Sequence, residues 1–249
     1  MPLDDPLIPA PELLFDGSNN AEQFASVGEG FTRVILIDRG RLLPHERVLD
    51  IGSGNGQKAR VLTQHLSPIG RYVGIDIVRA GVDWCRERYA PYPNFSFQHA
   101  DIRNVHYNPD GAHEDRDYRL PFEDGGFDMV FLSSVFTHML PAGVARSVQE
   151  ISRVLAPGGR CVATAFILNA DSLRRLDRGE ARIRLTHREG GYRLLDAVDK
   201  TMGVGHPEAW LRDQFADAGL FVAEMTFGTW AGGKDIFGGL QDVVFAVKE

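Results

Sequence analysis

Val48-Leu49-Asp50-Ile51-Gly52-Ser53-Gly54-Asn55-Gly56 constrains the fold of this chain more than any other stretch. An apolar run ends in three alternating glycines, and Gln57 to Leu66 then places Ala59, Val61, Leu62 and Leu66 at helical spacing. Strand, tight turn and helix follow without a gap. Such a turn lets a ligand approach the main chain closely, admits positive φ without a side-chain penalty, and aims the free N–H groups of the helix start at whatever binds there. The reading is a nucleotide-cofactor loop in an α/β sheet. A dinucleotide fingerprint needs G-x-G-x-x-G, but here Gln57 stands where its third glycine belongs, which argues against a nicotinamide oxidoreductase.

The remaining chain supplies the strands and helices such a loop requires. Arg71 to Ile77 reads as a second strand ending in an acid. Asp76 lies about 20 residues past the glycines, where doubly wound folds place a carboxylate that accepts from both ribose hydroxyls. Phe95–His99, Asp128–Leu132, Cys161–Ile167, Leu220–Gly228 and Asp242–Val247 read as five further strands. Helical spacing recurs before the first strand (Phe24, Val27, Phe31, Val34, Ile35), after the second (Val82, Trp84, Cys85, Tyr89) and after the fourth, where Pro141 opens a helix carrying Val144, Val148, Ile151 and Val154. No helix separates the last two strands. The chain thus divides into a flexible arm over residues 1–20 and a single domain over 21–249. Polar insertions interrupt that domain at 105–126 and 169–207, and the second is long enough to serve as a substrate lid.

Charge and cysteine content narrow the partners. The formal net charge of -7, with no block of consecutive lysines or arginines, excludes DNA or RNA as the expected partner. No apolar stretch approaches the length of a membrane span, and Met1-Pro2-Leu3-Asp4-Asp5-Pro6 lacks the regions of a signal peptide, so a cytoplasmic protein is expected. Two cysteines, Cys85 and Cys161, make neither a disulfide framework nor a metal pair. Oligomeric state is left open.

Asp50 with Gly52, Gly54 and Gly56, Leu120-Pro121-Phe122 ahead of Phe127-Asp128, and Leu155-Ala156-Pro157-Gly158-Gly159 together resemble the class I S-adenosylmethionine-dependent methyltransferases. The resemblance runs from about Ala21 to the end. It implies a doubly wound α/β fold of about seven mostly parallel strands with an antiparallel last strand, and S-adenosyl-L-methionine as cofactor. Residues Asp50, Gly52, Ser53, Gly54 and Gly56 would lie along the cofactor, with Asp76 and Ile77 at the ribose. Asp101 would receive the adenine amino group, Ile102 would lie on the ring, and Ser133 would open the stretch lining the transfer site. More narrowly, Ser133 to Met139, Gly191-Tyr192-Arg193, Gly228-Thr229-Trp230 and Gln241-Asp242 resemble a bacterial subgroup associated with polysaccharide and secondary-metabolite gene clusters. That subgroup carries an arginine where this chain has Gly233 and a tyrosine where it has Leu240.

Methyl transfer from a sulfonium needs alignment and exclusion of water more than acid–base chemistry. A hydroxyl acceptor is the exception, because it becomes nucleophilic only as its proton leaves. His138, just past the fourth strand, is the candidate base. The expected activity is O-methylation of a small molecule, a sugar or a glycosylated or other natural product. Methylation of nitrogen or carbon, or cofactor binding without catalysis, are the alternatives. No histidine or carboxylate cluster has metal-ligand spacing, so no metal is expected.

Overall fold

The computed structural model describes residues 5–14, 18, 20–232 and 239–249. Five strands, β1 Arg47–Ile51, β2 Arg71–Asp76, β3 Phe95–His99, β4 Phe127–Leu132 and β5 Leu155–Leu168, run parallel in the spatial order β3-β2-β1-β4-β5. Three short strands follow, β6 His187–Glu189, β7 Tyr192–Leu194 and β8 Val204–Pro207, before β9 Leu220–Thr226 and β10 Asp242–Lys248. β10 inserts antiparallel between β5 and β9. The expected seven strands are therefore present, with only β10 reversed, and the observed sheet has ten because β6, β7 and β8 extend it.

Alternation along the central strands explains the layering. Val48, Met129 and Phe131 face one side and Leu49, Val130 and Leu132 the other, all fully buried. The first set packs with Ile35 and Leu36 of a π-helical stretch, Phe31–Arg39, with Ala59 and Leu62 of helix α2 (Gln57–Leu62), and with Val82 and Cys85 of helix α3 (Arg79–Arg88). That stretch continues directly from α1 (Ala21–Gly30), whose N-terminus Asn20 caps by accepting from Gln23 N. The second set packs with Val144, Val148 and Ile151 of α4 (Pro141–Val154) and with Leu211 and Phe215 further along the chain.

Both insertions contain more structure than their polarity suggests. The first is fastened where it leaves: the Glu150 carboxylate on α4 accepts from Leu120 N, and Arg153 donates to the carbonyls of Leu120 and Phe122. The second holds α5 (Ala170–Asp177), opened by a capping box between Asn169 and Ser172, and then the hairpin β6–β7. Gly190 and Gly191 turn that hairpin at positive φ. β8 pairs with β7 and with Phe166–Leu168 at the tip of β5, before α6 (Glu208–Asp217).

Several of the described residues of the N-terminal arm contact the domain. Leu7 is buried, Asp5 pairs with the buried Arg60 at 3.0 Å, Asn55 Nδ2 donates to Leu13 O, and Gln57 Nε2 donates to Ser18 Oγ at 3.0 Å. No helix among the described residues is long and apolar enough to cross a membrane.

Candidate active site

The chain runs from β1 to β2 and β3 in one direction, then returns to place β4 on the far side of β1. In an open α/β sheet the ligand crevice lies beyond the carboxyl ends of the strands at that reversal. A cavity of about 740 Å³ opens there.

Its floor is the glycine turn. Gly52, Gly54 and Gly56 all take positive φ, at 81°, 53° and 75°. A side chain at Gly52 would also collide with Val135. The main chain is stitched to β2, because Gly52 N and Ser53 N both donate to Ile75 O and Gly54 N donates to Asp76 Oδ2 at 2.7 Å. Asp76 Oδ1 accepts from Val78 N, also at 2.7 Å. Burial raises the Asp76 carboxyl from its ordinary value, against these N–H groups, which lower it. Ser53 Oγ is buried against β2, where a Cβ at Gly74 would meet it at 2.8 Å, and among the described residues it has no hydrogen-bond partner. A carboxylate with spare lone pairs beside a glycine-rich turn fits the ribose and amino-acid portions of S-adenosylmethionine.

Of the residues expected around the cofactor, Gly52, Ser53, Gly54, Asp76, Ile77, Ile102 and Ser133 line this cavity, as does His138. Asp50, Gly56 and Asp101 lie outside its lining. Asp50 is fully buried beneath the turn and accepts from Tyr72 Oη at 2.6 Å; burial pushes its carboxyl up to about 7. Gly56 caps α2 and serves packing, since Tyr89 Oη donates to its carbonyl and a Cβ there would meet that oxygen at 2.8 Å. Asp101 is exposed and accepts from Asn108 Nδ2 at 3.2 Å.

Other lining residues come from places with no local signal. The first insertion contributes Tyr107, Asp115 and Tyr118, and the second contributes Thr201. Burial raises Asp115 from the ordinary carboxylate range. Gln57 and Lys58 line the cavity from the first turn of α2.

Just past β4, Ser134 holds a left-handed backbone, φ 62°, unusual for a residue with a side chain. Groups on or beside three strands, β4, β5 and β10, fix it. Ser134 N donates to Thr164 Oγ1 at 2.8 Å, Thr164 Oγ1 donates to Gln241 Oε1, and Gln241 Nε2 donates to Ser134 Oγ at 2.9 Å. Gln241 thereby enters the cavity wall. Its neighbour Asp242 turns inward and accepts from Ile167 N, Gly228 N and Trp230 Nε1, tying β10 to the tip of β5.

His138 sits in a 3₁₀ turn, Phe136–His138, directly after this loop. Its Nδ1 lies 2.9 Å from Thr201 O. A carbonyl only accepts, so Nδ1 carries the proton of the neutral ring and Nε2 is left as its acceptor. His206, by contrast, is fully buried on β8, donates from Nε2 to Phe136 O and stacks on Trp210; burial lowers it to about 4. It is a packing residue. Among the described residues no group of three or more histidine, cysteine or acidic side chains could hold a metal ion. Gly233 lies outside the described residues.

Residues 49–163 match the family model described as a methyltransferase domain. Phthiotriol/phenolphthiotriol dimycocerosates methyltransferase 1 of Mycobacterium ulcerans (strain Agy99) is 35% identical over 122 residues, 49% of this chain and 38% of that protein. The chain thus matches less than half the length of that relative. Among solved structures, PH0226 protein from Pyrococcus horikoshii OT3 superposes with a TM-score of 0.64 at 17% identity, covering 96% of this chain and 95% of that one. The Burkholderia thailandensis 1,6-didemethyltoxoflavin-N1-methyltransferase, solved with bound 1,6-didemethyltoxoflavin and S-adenosylhomocysteine, gives a TM-score of 0.57 at 15% identity and covers 90% of this chain and 79% of that one.

Proposed function

We propose that this chain is a class I S-adenosylmethionine-dependent methyltransferase and that it methylates a hydroxyl of a small molecule, a sugar or a glycosylated or other natural product. The observation that carries the reading is His138 in the cavity wall with Nδ1–H committed to Thr201 O. Its Nε2 is then free to take the acceptor's proton as the new carbon–oxygen bond forms. The cofactor supplies an electrophilic methyl group with a neutral leaving group. Asp76 holds the ribose, the Gly52–Gly54 turn receives the amino-acid half, and Ile102 packs on the adenine. Ser134 and Gln241 form the rigid wall against which the acceptor is aligned. The Mycobacterium ulcerans relative, whose name carries a triol acceptor, supports a hydroxyl.

A screen of hydroxylated acceptors with a deuteromethyl donor, read by mass spectrometry, tests this. A base of this kind contributes about 10²–10⁴ in rate, so His138→Asn should keep cofactor affinity and lose turnover on that scale. Turnover within a few fold of wild type would make His138 structural. A nitrogen or carbon acceptor then becomes the better reading.

A further inference from the structure

The two insertions meet on the acceptor side of the cavity. His106 Nε2 contacts Asp199 Oδ2. The other oxygen of that carboxylate, Oδ1, accepts from Thr201 N at 3.1 Å and from Thr201 Oγ1 at 2.9 Å. Thr201 O is the group that takes the Nδ1–H of His138. The loop is braced on both sides of Asp199: Asp196 Oδ1 accepts from Val198 N and Asp199 N, and Met202 N donates to Asp199 O. Tyr107, next to His106, lies edge-on to the His138 ring with centroids 6.4 Å apart. Burial alone would raise Asp199, but its bonds from Thr201 and the contact with His106 outweigh that and hold the carboxyl below its usual range.

We propose that Asp199 is a positioning residue for His138. By accepting two bonds from Thr201 it fixes the carbonyl that selects the Nδ1–H form of the ring, and through His106 it ties that selection to the first insertion. Its catalytic consequence rests on the hydroxyl-methylation reading; its effect on the ring does not. A side chain that bonds the backbone two residues on pins a turn locally, which is why one carboxylate can set the direction of Thr201 O. Without a fixed acceptor an imidazole exchanges between tautomers, and only the form with a bare Nε2 can take a proton there.

Nitrogen-15 NMR of the histidine rings in the full chain, saturated with S-adenosylhomocysteine, reads the tautomer directly. The signals missing from His138→Asn identify His138. Wild type should show Nδ1–H, and Asp199→Ala should lose that preference. Asp199→Asn should keep it, because its amide oxygen still accepts from Thr201. Should Asp199→Ala fold poorly, Thr201→Val, which removes only the Oγ1 bond, should show a smaller shift in the same direction. Persistence of the wild-type tautomer in Asp199→Ala, or in Thr201→Val where that is the variant measured, overturns the proposal. On the acceptor returned by the screen, Asp199→Ala should lower kcat by less than the about 10²–10⁴ of the base itself with KM for S-adenosylmethionine unchanged, and Asn should rescue it. If His138→Asn keeps its turnover while Asp199→Ala still shifts the tautomer, the base reading fails and the positioning role stands.

Discussion

Asp50 and Asp76 close β1 and β2, two acids beside one glycine turn, and packing gives them different tasks. Asp76 reaches the cavity with lone pairs to spare, so Asp76→Ala should weaken S-adenosylhomocysteine binding at least roughly tenfold by calorimetry, given about 1.5–3 kcal/mol for a hydrogen bond to a charged group. Unchanged affinity would remove it from the site. Among the described residues Asp50 accepts from Tyr72 Oη and its Oδ1 has no partner, and burial raises it to about 7. An unfolded aspartate releases its proton near about 4, so the native state binds more protons between the two values. Its contribution to stability is present below about 4 and is lost as pH rises through about 7. Asp50→Asn keeps an acceptor for Tyr72 and never ionises. The melting temperature of the variant minus that of wild type should therefore rise from pH 4 to 7 and level off above; a constant difference would contradict the assignment. Taking the difference cancels Asp242, raised to about 7 by burial, and His206, lowered to about 4.

At the scale of elements, the glycine turn and α4 were readable because each shows a local period or a local geometric demand. β6 and β7 were not: strands of three residues cannot display an alternation, and only Gly190-Gly191 marked their turn. β8 likewise exists because the tip of β5 extends past β4 and offers it a pairing edge, a fact absent from its own four residues. These pieces carry Thr201 to the cavity, so hydrogen exchange across residues 169–207 should slow when S-adenosylhomocysteine and acceptor bind together. Equal exchange in the free and bound states would argue against closure of this segment on the substrate.

For the whole molecule, binding at the reversal point of the sheet couples the two packed faces to one ligand. S-adenosylhomocysteine at 100 times its dissociation constant should add about 2.7 kcal/mol, or roughly 5–10 °C in melting temperature for a chain of this size. NADH at the same concentration should give no shift; stabilisation by NADH alone would reverse the choice of cofactor. The sequence by itself determined the order of the seven longer strands, the glycine turn and the acid at the end of β2, because these depend on periodicity and on backbone demands that single residues announce. Tertiary structure alone decided that Asp50 is buried under Tyr72, that Asp101 turns to Asn108, and that Gln241, Tyr107 and Thr201 reach the wall of the cavity. Which acid faces a ligand is set by side-chain direction and by partners from distant strands, and His138 acquires its tautomer from a carbonyl 63 residues away.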